Sequence, residues 1–165
     1  MASKLKLNEV VLQSPNGLVE KSISMGDDGV VKVNGVQVAD IVSGTFTPVI
    51  RGETTAGTAT YTTQQGIYSK IGRVVHFQIY LNWDSLTGTG AMIITGLPFA
   101  NGSVIGAVTV SYPNLIALPA GGVLTAHIVG SVIYLTSYPA GGGGMSFVQC
   151  DARGELILSG SYITA

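Results

Sequence analysis

Residue types that could carry chemistry are scarce in this chain, which has two histidines, one cysteine and nine carboxylates. His76 and His127 have no further ligand spaced close to either of them, so the sequence indicates no metal site. Cys150 is the sole cysteine, which excludes an intrachain disulfide, and we interpret it as a small buried hydrophobic residue. The sequence contains no G-x-S-x-G, Walker, G-x-G-x-x-G or H-E-x-x-H motif.

Paired carboxylates are the remaining route to hydrolysis of a polysaccharide, because one acts as the acid and the other as nucleophile or base. Asp84, Asp151 and Glu155 border predicted hairpins, but nothing in the sequence marks two of them as flanking a cleft. We therefore expect a protein without enzymatic activity and without a cofactor.

Residues 73–83, RVVHFQIYLNW, alternate between apolar and polar side chains. A period of two is typical of a strand that has one buried face and one outer face. The polar side consists of His76, Gln78, Tyr80 and Asn82. We predict that these four side chains form a ligand-binding surface, and the alternative is that part of this side contacts another subunit.

The aromatic residues offer a second candidate surface for recognition, since their rings stack on sugar rings while hydroxyls and amides bind sugar edges. The alternative is that most of them fill the core or a subunit interface. The residues concerned are Trp83 and the tyrosines Tyr61, Tyr68, Tyr80, Tyr112, Tyr134, Tyr138 and Tyr162.

The composition indicates which elements must position these residues. Glycine supplies 23 of the 165 residues and β-branched and hydroxyl residues dominate the rest, which is typical of an all-β chain with many tight turns. Only 10% of the residues are charged and the net charge is −1, so we expect no binding to nucleic acid. The N-terminus lacks the apolar core of a signal peptide and no stretch suits a membrane helix, so we expect cytoplasmic synthesis without membrane insertion.

Turn residues divide the chain into two predicted parts. Residues 1–42, the arm, read as three strands separated by SPNG and GDDG and are predicted to form a β-meander. The arm has too few large apolar residues to be stable alone, so it must pack on the rest of the chain or on another chain. Residues 43–165, the knob, are predicted to form a β-sandwich or jelly-roll-like domain, with hairpins at Asn101–Gly102 and Gly130–Ser131.

A long stretch of the knob, residues 85–150, contains no Lys, Arg, Asp or Glu. Charged residues normally cover exposed strand faces and keep a protein soluble. Either these strands present a neutral surface to water, or copies of the same chain cover them. We favour the second explanation and predict a homo-oligomer, because exposed β surfaces without charged edges tend to aggregate.

Residues 44–99 resemble the β-rich terminal domain of tail fibres and head fibres of tailed bacteriophages. The features that carry the resemblance are the opening GTFTP, the strand entry GIYSKIGRVV and the exit from TGTG to GLPF. Phe46 stands where tryptophan is commoner in that family. The resemblance implies a virion structural protein, a small homotrimeric appendage of the tail-fibre type, that contacts the host cell surface with polysaccharide as its ligand class.

The arm is similar to short β modules near the N-termini of phage tail and head-fibre proteins, which attach to a larger part of the virion. This similarity implies attachment to another virion protein through residues that include Val10, Val11, Leu12, Pro15 and Asn16. The small size of the chain supports an alternative function. In that alternative it is a capsid decoration or cement protein, or a head fibre, that stabilises or ornaments the particle.

Overall fold

The computed structural model describes residues 9–13, 20–25, 31–33, 36–37, 41–102 and 105–164. The chain divides into two compact units, Met1–Asp40 and Ile41–Ala165, to which the names arm and knob now refer. The boundary predicted between residues 42 and 43 lies inside the first strand of the knob. All regular elements of the described residues are β-strands, so the prediction of an all-β fold is confirmed.

In the part of the arm that the structure describes, four strands form an antiparallel sheet in which each strand pairs with the next one along the chain. Its strands are β1 (Glu9–Gln13), β2 (Glu20–Met25), β3 (Val31–Val33) and β4 (Val36–Gln37). This is a meander, and the third predicted strand is divided into β3 and β4. Of the predicted attachment residues, Val10, Val11 and Leu12 lie in β1, whereas Pro15 and Asn16 lie outside the described residues.

The described residues of the knob form ten strands, and all of the strand pairs among them are antiparallel. Their order across the sheet is β5-β7-β8-β14-β10-β11-β12-β9-β6, with β13 added beside β12. The bounds are β5 (Ile41–Phe46), β6 (Val49–Gly52), β7 (Ala59–Ile71), β8 (Val74–Leu86), β9 (Met92–Thr95), β10 (Gly106–Asn114), β11 (Val123–Val129), β12 (Val132–Tyr138), β13 (Ser146–Phe147) and β14 (Gly154–Ile163).

The knob sheet curls into a half-barrel, so that its strands β6 and β7 approach each other from distant places in the sheet order. The Ile50 amide of β6 donates a hydrogen bond of 3.0 Å to the hydroxyl of Tyr61 in β7. The Gln64 side chain of β7 donates one of 2.9 Å to the Pro48 carbonyl oxygen. The sandwich or jelly-roll arrangement is not confirmed, because the strands form one continuous curled sheet. The homotrimer remains a prediction.

The core lies on the inner side of this curl and draws on both halves of the sheet. Trp83 is its largest fully buried side chain, and β8, β9, β11, β12 and β14 supply most of the others. The charge-free stretch contributes much of this core through Met92, Ile94, Ile128, Ile133 and Leu135. Part of the lack of charge in residues 85–150 is therefore explained by packing within one chain.

Two hairpins of the knob have matching two-residue turns. Gly72 begins the turn between β7 and β8 with φ +58°, and Gly130 begins the turn between β11 and β12 with φ +59°. The left-handed region favours glycine, and the hairpin predicted at Gly130–Ser131 is confirmed. The hairpin predicted at Asn101–Gly102 is wrong, because β9 and β10 on either side of it pair with other strands and Asn101 bridges Thr164.

Candidate functional site

The candidate site lies on the outer face of β8. The predicted alternation of this strand is confirmed, because its apolar side is buried while His76 and Gln78 are exposed and Tyr80 and Asn82 are partly exposed. The buried members are Val75, Phe77, Ile79, Leu81 and Trp83. The pleat of the strand therefore separates the four predicted ligand-binding side chains from the core. Their role in binding remains a prediction.

Strands β7 and β14 flank β8 and place hydroxyl side chains beside it. The cross-strand partners of His76 are Ser69 in β7 and Ser161 in β14. Gln78 has Ser159 of β14 as its partner. Directly paired residues of antiparallel strands project from the same side of the sheet. We call this outer side of β5, β7, β8, β14 and β10 the polar face.

A groove of about 590 Å³ runs over the polar face, and both His76 and Gln78 line it. Hydroxyl groups line the same cavity from three other strands, namely those of Ser69, Thr109, Ser159 and Ser161. A smaller cavity of about 260 Å³ shares Gln78 and Ser159 with the first and adds Tyr80. We call the two cavities together the face groove. It brings together three of the four predicted residues, whereas Asn82 lines neither cavity.

The polar groups of the face groove have spare hydrogen-bonding capacity. Within the part of the chain that the structure describes, the side chains of His76, Gln78, Ser69, Ser159 and Ser161 make no hydrogen bond. The face groove therefore offers hydrogen-bond donors and acceptors to a ligand, and no described Lys, Arg, Asp or Glu side chain lines it.

At the Tyr80 end of the polar face, the side chains form a hydrogen-bond network with one another. The Tyr80 hydroxyl donates a hydrogen bond of 2.6 Å to Oε1 of Glu155, and the Asn114 side chain donates one of 3.2 Å to Oε2. The hydrogen bond to the carboxylate raises the pKa of Tyr80, because it favours the protonated phenol. This network orients Tyr80 at the end of the smaller cavity. Sequence reasoning did not assign it, because only the register of β8 with β14 makes Tyr80 and Glu155 diagonal neighbours across the two strands.

Asp84 and Asp151, the other carboxylates considered for hydrolysis, lie outside the face groove and have hydrogen-bond partners. Asp84 accepts a hydrogen bond of 2.7 Å from the Thr62 hydroxyl, and Asp151 accepts one of 2.7 Å from the Ala117 amide. Among the described residues, no three His, Cys, Asp or Glu side chains lie close enough together to hold a metal ion. No helix within the described ranges has the length and apolar character needed to cross a membrane.

Cys150 is partly buried against the core, and burial raises the pKa of its thiol. The tyrosines are distributed over different environments and form no single platform. Tyr162 is buried and Tyr61 and Tyr68 pack against the core, whereas Tyr112 and Tyr138 are exposed. The alternative that the aromatic residues fill the core thus holds for Tyr61, Tyr68 and Tyr162 but not for the exposed tyrosines.

An aromatic cluster on the other half of the knob was not predicted. His127 of β11 stacks on Tyr134 of β12, with ring centroids 5.7 Å apart and an interplanar angle of 15°. Phe147 of β13 contacts the same tyrosine at 5.7 Å. The alternation along β11 and β12 could have predicted that His127 and Tyr134 lie on the same side of the sheet. The position of Phe147 could not have been predicted, because it lies in a two-residue strand with no sequence pattern.

With the geometry established, comparison with known proteins identifies a related fold. No protein-family model and no curated protein matches this sequence. Among solved structures, the chain is similar to the crystal structure of Dettilon tailspike protein (gp208), with a TM-score of 0.61 and 20% sequence identity. The match covers 74% of this chain and 24% of the tailspike chain, so it spans about a quarter of that protein. At this identity the likeness establishes a shared β-rich fold.

Proposed function

We propose that this chain is a bacteriophage structural protein, a small homotrimeric virion appendage of the tail-fibre type that contacts the host cell surface without enzymatic activity. The observation that carries the proposal is the face groove, a concave site lined by polar side chains, most of which make no hydrogen bond to the described chain. The fold likeness to a tailspike protein and the resemblance of residues 44–99 to fibre terminal domains support a virion location.

The chemistry of the face groove favours a neutral polysaccharide of the bacterial surface as the ligand. Sugars present many hydroxyls, which pair with amide, imidazole and hydroxyl side chains such as those of Gln78, His76 and Ser159. The aliphatic side chains of Ile67 and Ile157 also line the groove and can contact the C–H faces of sugar rings. An anionic polymer would find no cation there.

The arrangement of the carboxylates supports a binding role without hydrolysis. Retaining and inverting glycosidases need two carboxyl groups that flank the scissile bond. Glu155 lies on the polar face, but Tyr80 and Asn114 occupy both of its oxygens. Asp84 and Asp151 are likewise engaged outside the face groove. We therefore expect no new reducing ends when the purified chain is incubated with polysaccharide from the host.

Competition for phage adsorption tests the proposed contact with the host. The purified full chain, added to host bacteria before the phage that encodes it, should reduce adsorption. The double variant His76→Ala, Gln78→Ala should lose most of this competition, because it removes two polar side chains that line the groove. Extracted neutral surface polysaccharide should abolish competition by the natural chain.

Gln149→Ala is the matched control, since Gln149 is an exposed glutamine outside the face groove. Its side chain donates only a local hydrogen bond to the Phe147 carbonyl oxygen. This control should compete as well as the natural chain does, and circular dichroism should show that all variants are folded. Equal competition by the double variant and the natural chain would contradict the assignment of the groove.

Decoration of the capsid is the second candidate function, and a feature of the arm favours it. Ile23 of β2 pairs with Val33 of β3, and both side chains are exposed, as is that of Val31. Such a small sheet with exposed apolar residues is suited to attachment to another virion protein. A cryo-EM map of the intact particle distinguishes the candidates, since density at the tail supports the appendage and density on the capsid supports decoration.

A further inference from the structure

Four exposed aliphatic side chains form a continuous row across one end of the polar face. Cross-strand pairing aligns Ile41 of β5 with Ile71 of β7. It also aligns Ile71 with Val74 of β8, and Val74 with Ile163 of β14. In strand order, the exposed fractions of these side chains are 71, 48, 37 and 49%. Because neighbouring strands lie about 4.8 Å apart, the row is an apolar strip roughly 15 Å long, which we call the aliphatic row.

The cations that neighbour this row in sequence do not cover it. Single exposed hydrophobic residues are ordinary, and long charged side chains often shield them with their methylene stems. Lys70 instead places its ammonium 5.6 Å from the ring centroid of Phe99. The guanidinium of Arg73 donates hydrogen bonds of 3.0 and 2.7 Å to the Thr164 carbonyl oxygen. Both cations are engaged elsewhere, so the row is left as a contiguous apolar surface.

The aliphatic row starts on a sheet edge whose strand lacks charged residues and proline. Strand β5 is terminal in the knob sheet, and its sequence IVSGTF contains neither a charged residue nor a proline. Edge strands ordinarily carry such residues, because their unpaired N–H and C=O groups would otherwise bind another strand. Val42, next to Ile41 on this strand, is also exposed, on the opposite side of the sheet. Edge and row together form one surface suited to association.

We infer that a second copy of this chain packs on the aliphatic row, an inference that rests on the proposed homotrimer. The row beside it consists of Ser43, Ser69, His76 and Ser161, so neither row contains Lys, Arg, Asp or Glu. Around the threefold axis of such a trimer, the rows of neighbouring copies can therefore meet without burying an unpaired charge. A strongly charged partner would find no complementary group there. The second copy is the occupant that this neutral chemistry fits.

Sedimentation equilibrium of the full chain over a concentration series tests this contact. In Ile71→Lys the ammonium would be buried between copies, and we expect the dissociation constant to rise about 30-fold or more, as for a central interface residue. Ile41→Lys changes the most exposed position of the row and should act in the same direction. It provides a second variant should the first fail to fold, which circular dichroism and thermal unfolding would reveal.

Val129→Lys is the matched control for Ile71→Lys. Ile71 ends β7 before the turn Gly72–Arg73, and Val129 ends β11 before the corresponding turn of its own hairpin. The exposed fraction of Val129 is 46%, close to that of Ile71. The control should leave the dissociation constant within about twofold of the natural value, as expected of a surface substitution.

The possible results separate this inference from the proposed function. A natural chain that sediments as a monomer at every concentration overturns both the proposed trimer and the contact. If the natural chain is an oligomer and the folded row variants associate as tightly as it does, the contact at the aliphatic row is overturned and the proposed function stands. An equal loss of association in the control also overturns the contact, because the effect would then not be specific to the row.

Discussion

The two faces of β8 lie in different environments, although their residues alternate along the same thirteen positions. The inner face is packed against the core through Val75, Phe77, Ile79, Leu81 and Trp83. On the outer face, His76 and Gln78 are exposed and their side chains make no hydrogen bond within the described chain. Stability therefore depends on one face, and the other is available for recognition. The difference teaches that a single strand can both pack against the core and present polar side chains to solvent, because its side chains alternate.

Trp83→Ala should test the inner face most severely. The substitution removes the largest fully buried side chain, whose Nε1 donates a hydrogen bond of 3.2 Å to the Asp151 carbonyl oxygen. Because a cavity remains, we expect the free energy of unfolding to fall by about 3–5 kcal/mol. Urea denaturation at one fixed chain concentration measures this change. A loss below about 1 kcal/mol would show that the inner face does not dominate stability.

Gly154→Ala sharpens the comparison with a smaller change at the same site. A Cβ atom on residue 154 would lie 2.5 Å from Cζ2 of Trp83, so the indole must shift. We expect the free energy of unfolding to fall by about 1–3 kcal/mol, as in other overpacked cores. Gly144→Ala is the control, since no heavy atom lies within 4 Å of a Cβ there and the change should stay within about 0.5 kcal/mol. Equal effects of the two substitutions would argue against tight packing at Trp83.

Glu155→Gln examines the outer face and should have the smallest effect on stability near neutral pH. Loss of the carboxylate removes the main cause of the raised Tyr80 pKa, so this pKa should fall toward its ordinary value. In the unfolded natural chain, Tyr80 releases its phenol proton above about pH 10. The folded chain still holds this proton there, because its Tyr80 pKa is raised. The natural chain should therefore lose stability as pH rises through that range, and the variant should lose less.

NMR titration of ¹³C-labelled tyrosine measures the pKa of Tyr80 directly in both proteins. Tyr162 serves as an internal reference, because burial is the main cause of its raised pKa and Glu155 is not among the causes. The Tyr162 pKa should be the same in both proteins. An unchanged Tyr80 pKa in the variant would show that the hydrogen bond to Glu155 does not control it.

The sequence predicted best those features that depend on neighbours along the chain. Alternation around His76 predicted the buried and outer sides of β8, and the Gly130–Ser131 pair predicted a hairpin that needs a positive φ. The same kind of signal failed at Asn101, because a turn dipeptide does not determine which strands pair across it. The arm was predicted as a meander, and only the division of its last strand into β3 and β4 was missed.

The candidate site could be predicted only in part, for a related reason. Alternation identified the β8 side chains that line the face groove, and the pattern GELILSGSYI could have placed Ser159 and Ser161 together on one side of β14. It could not reveal that β14, from the end of the chain, pairs with β8. The same register creates the Tyr80–Glu155 network and the aliphatic row, so neither was expected.

The sequence by itself determined the all-β character, the faces of individual strands and the scarcity of charge, since these follow from residue type and a period of two. Only the tertiary structure decided that the knob is one curled sheet and that distant strands combine into the face groove and the aliphatic row. The physical reason is that pairing between strands uses backbone hydrogen bonds common to all residues. Register therefore emerges from packing of the whole core, which no local pattern encodes.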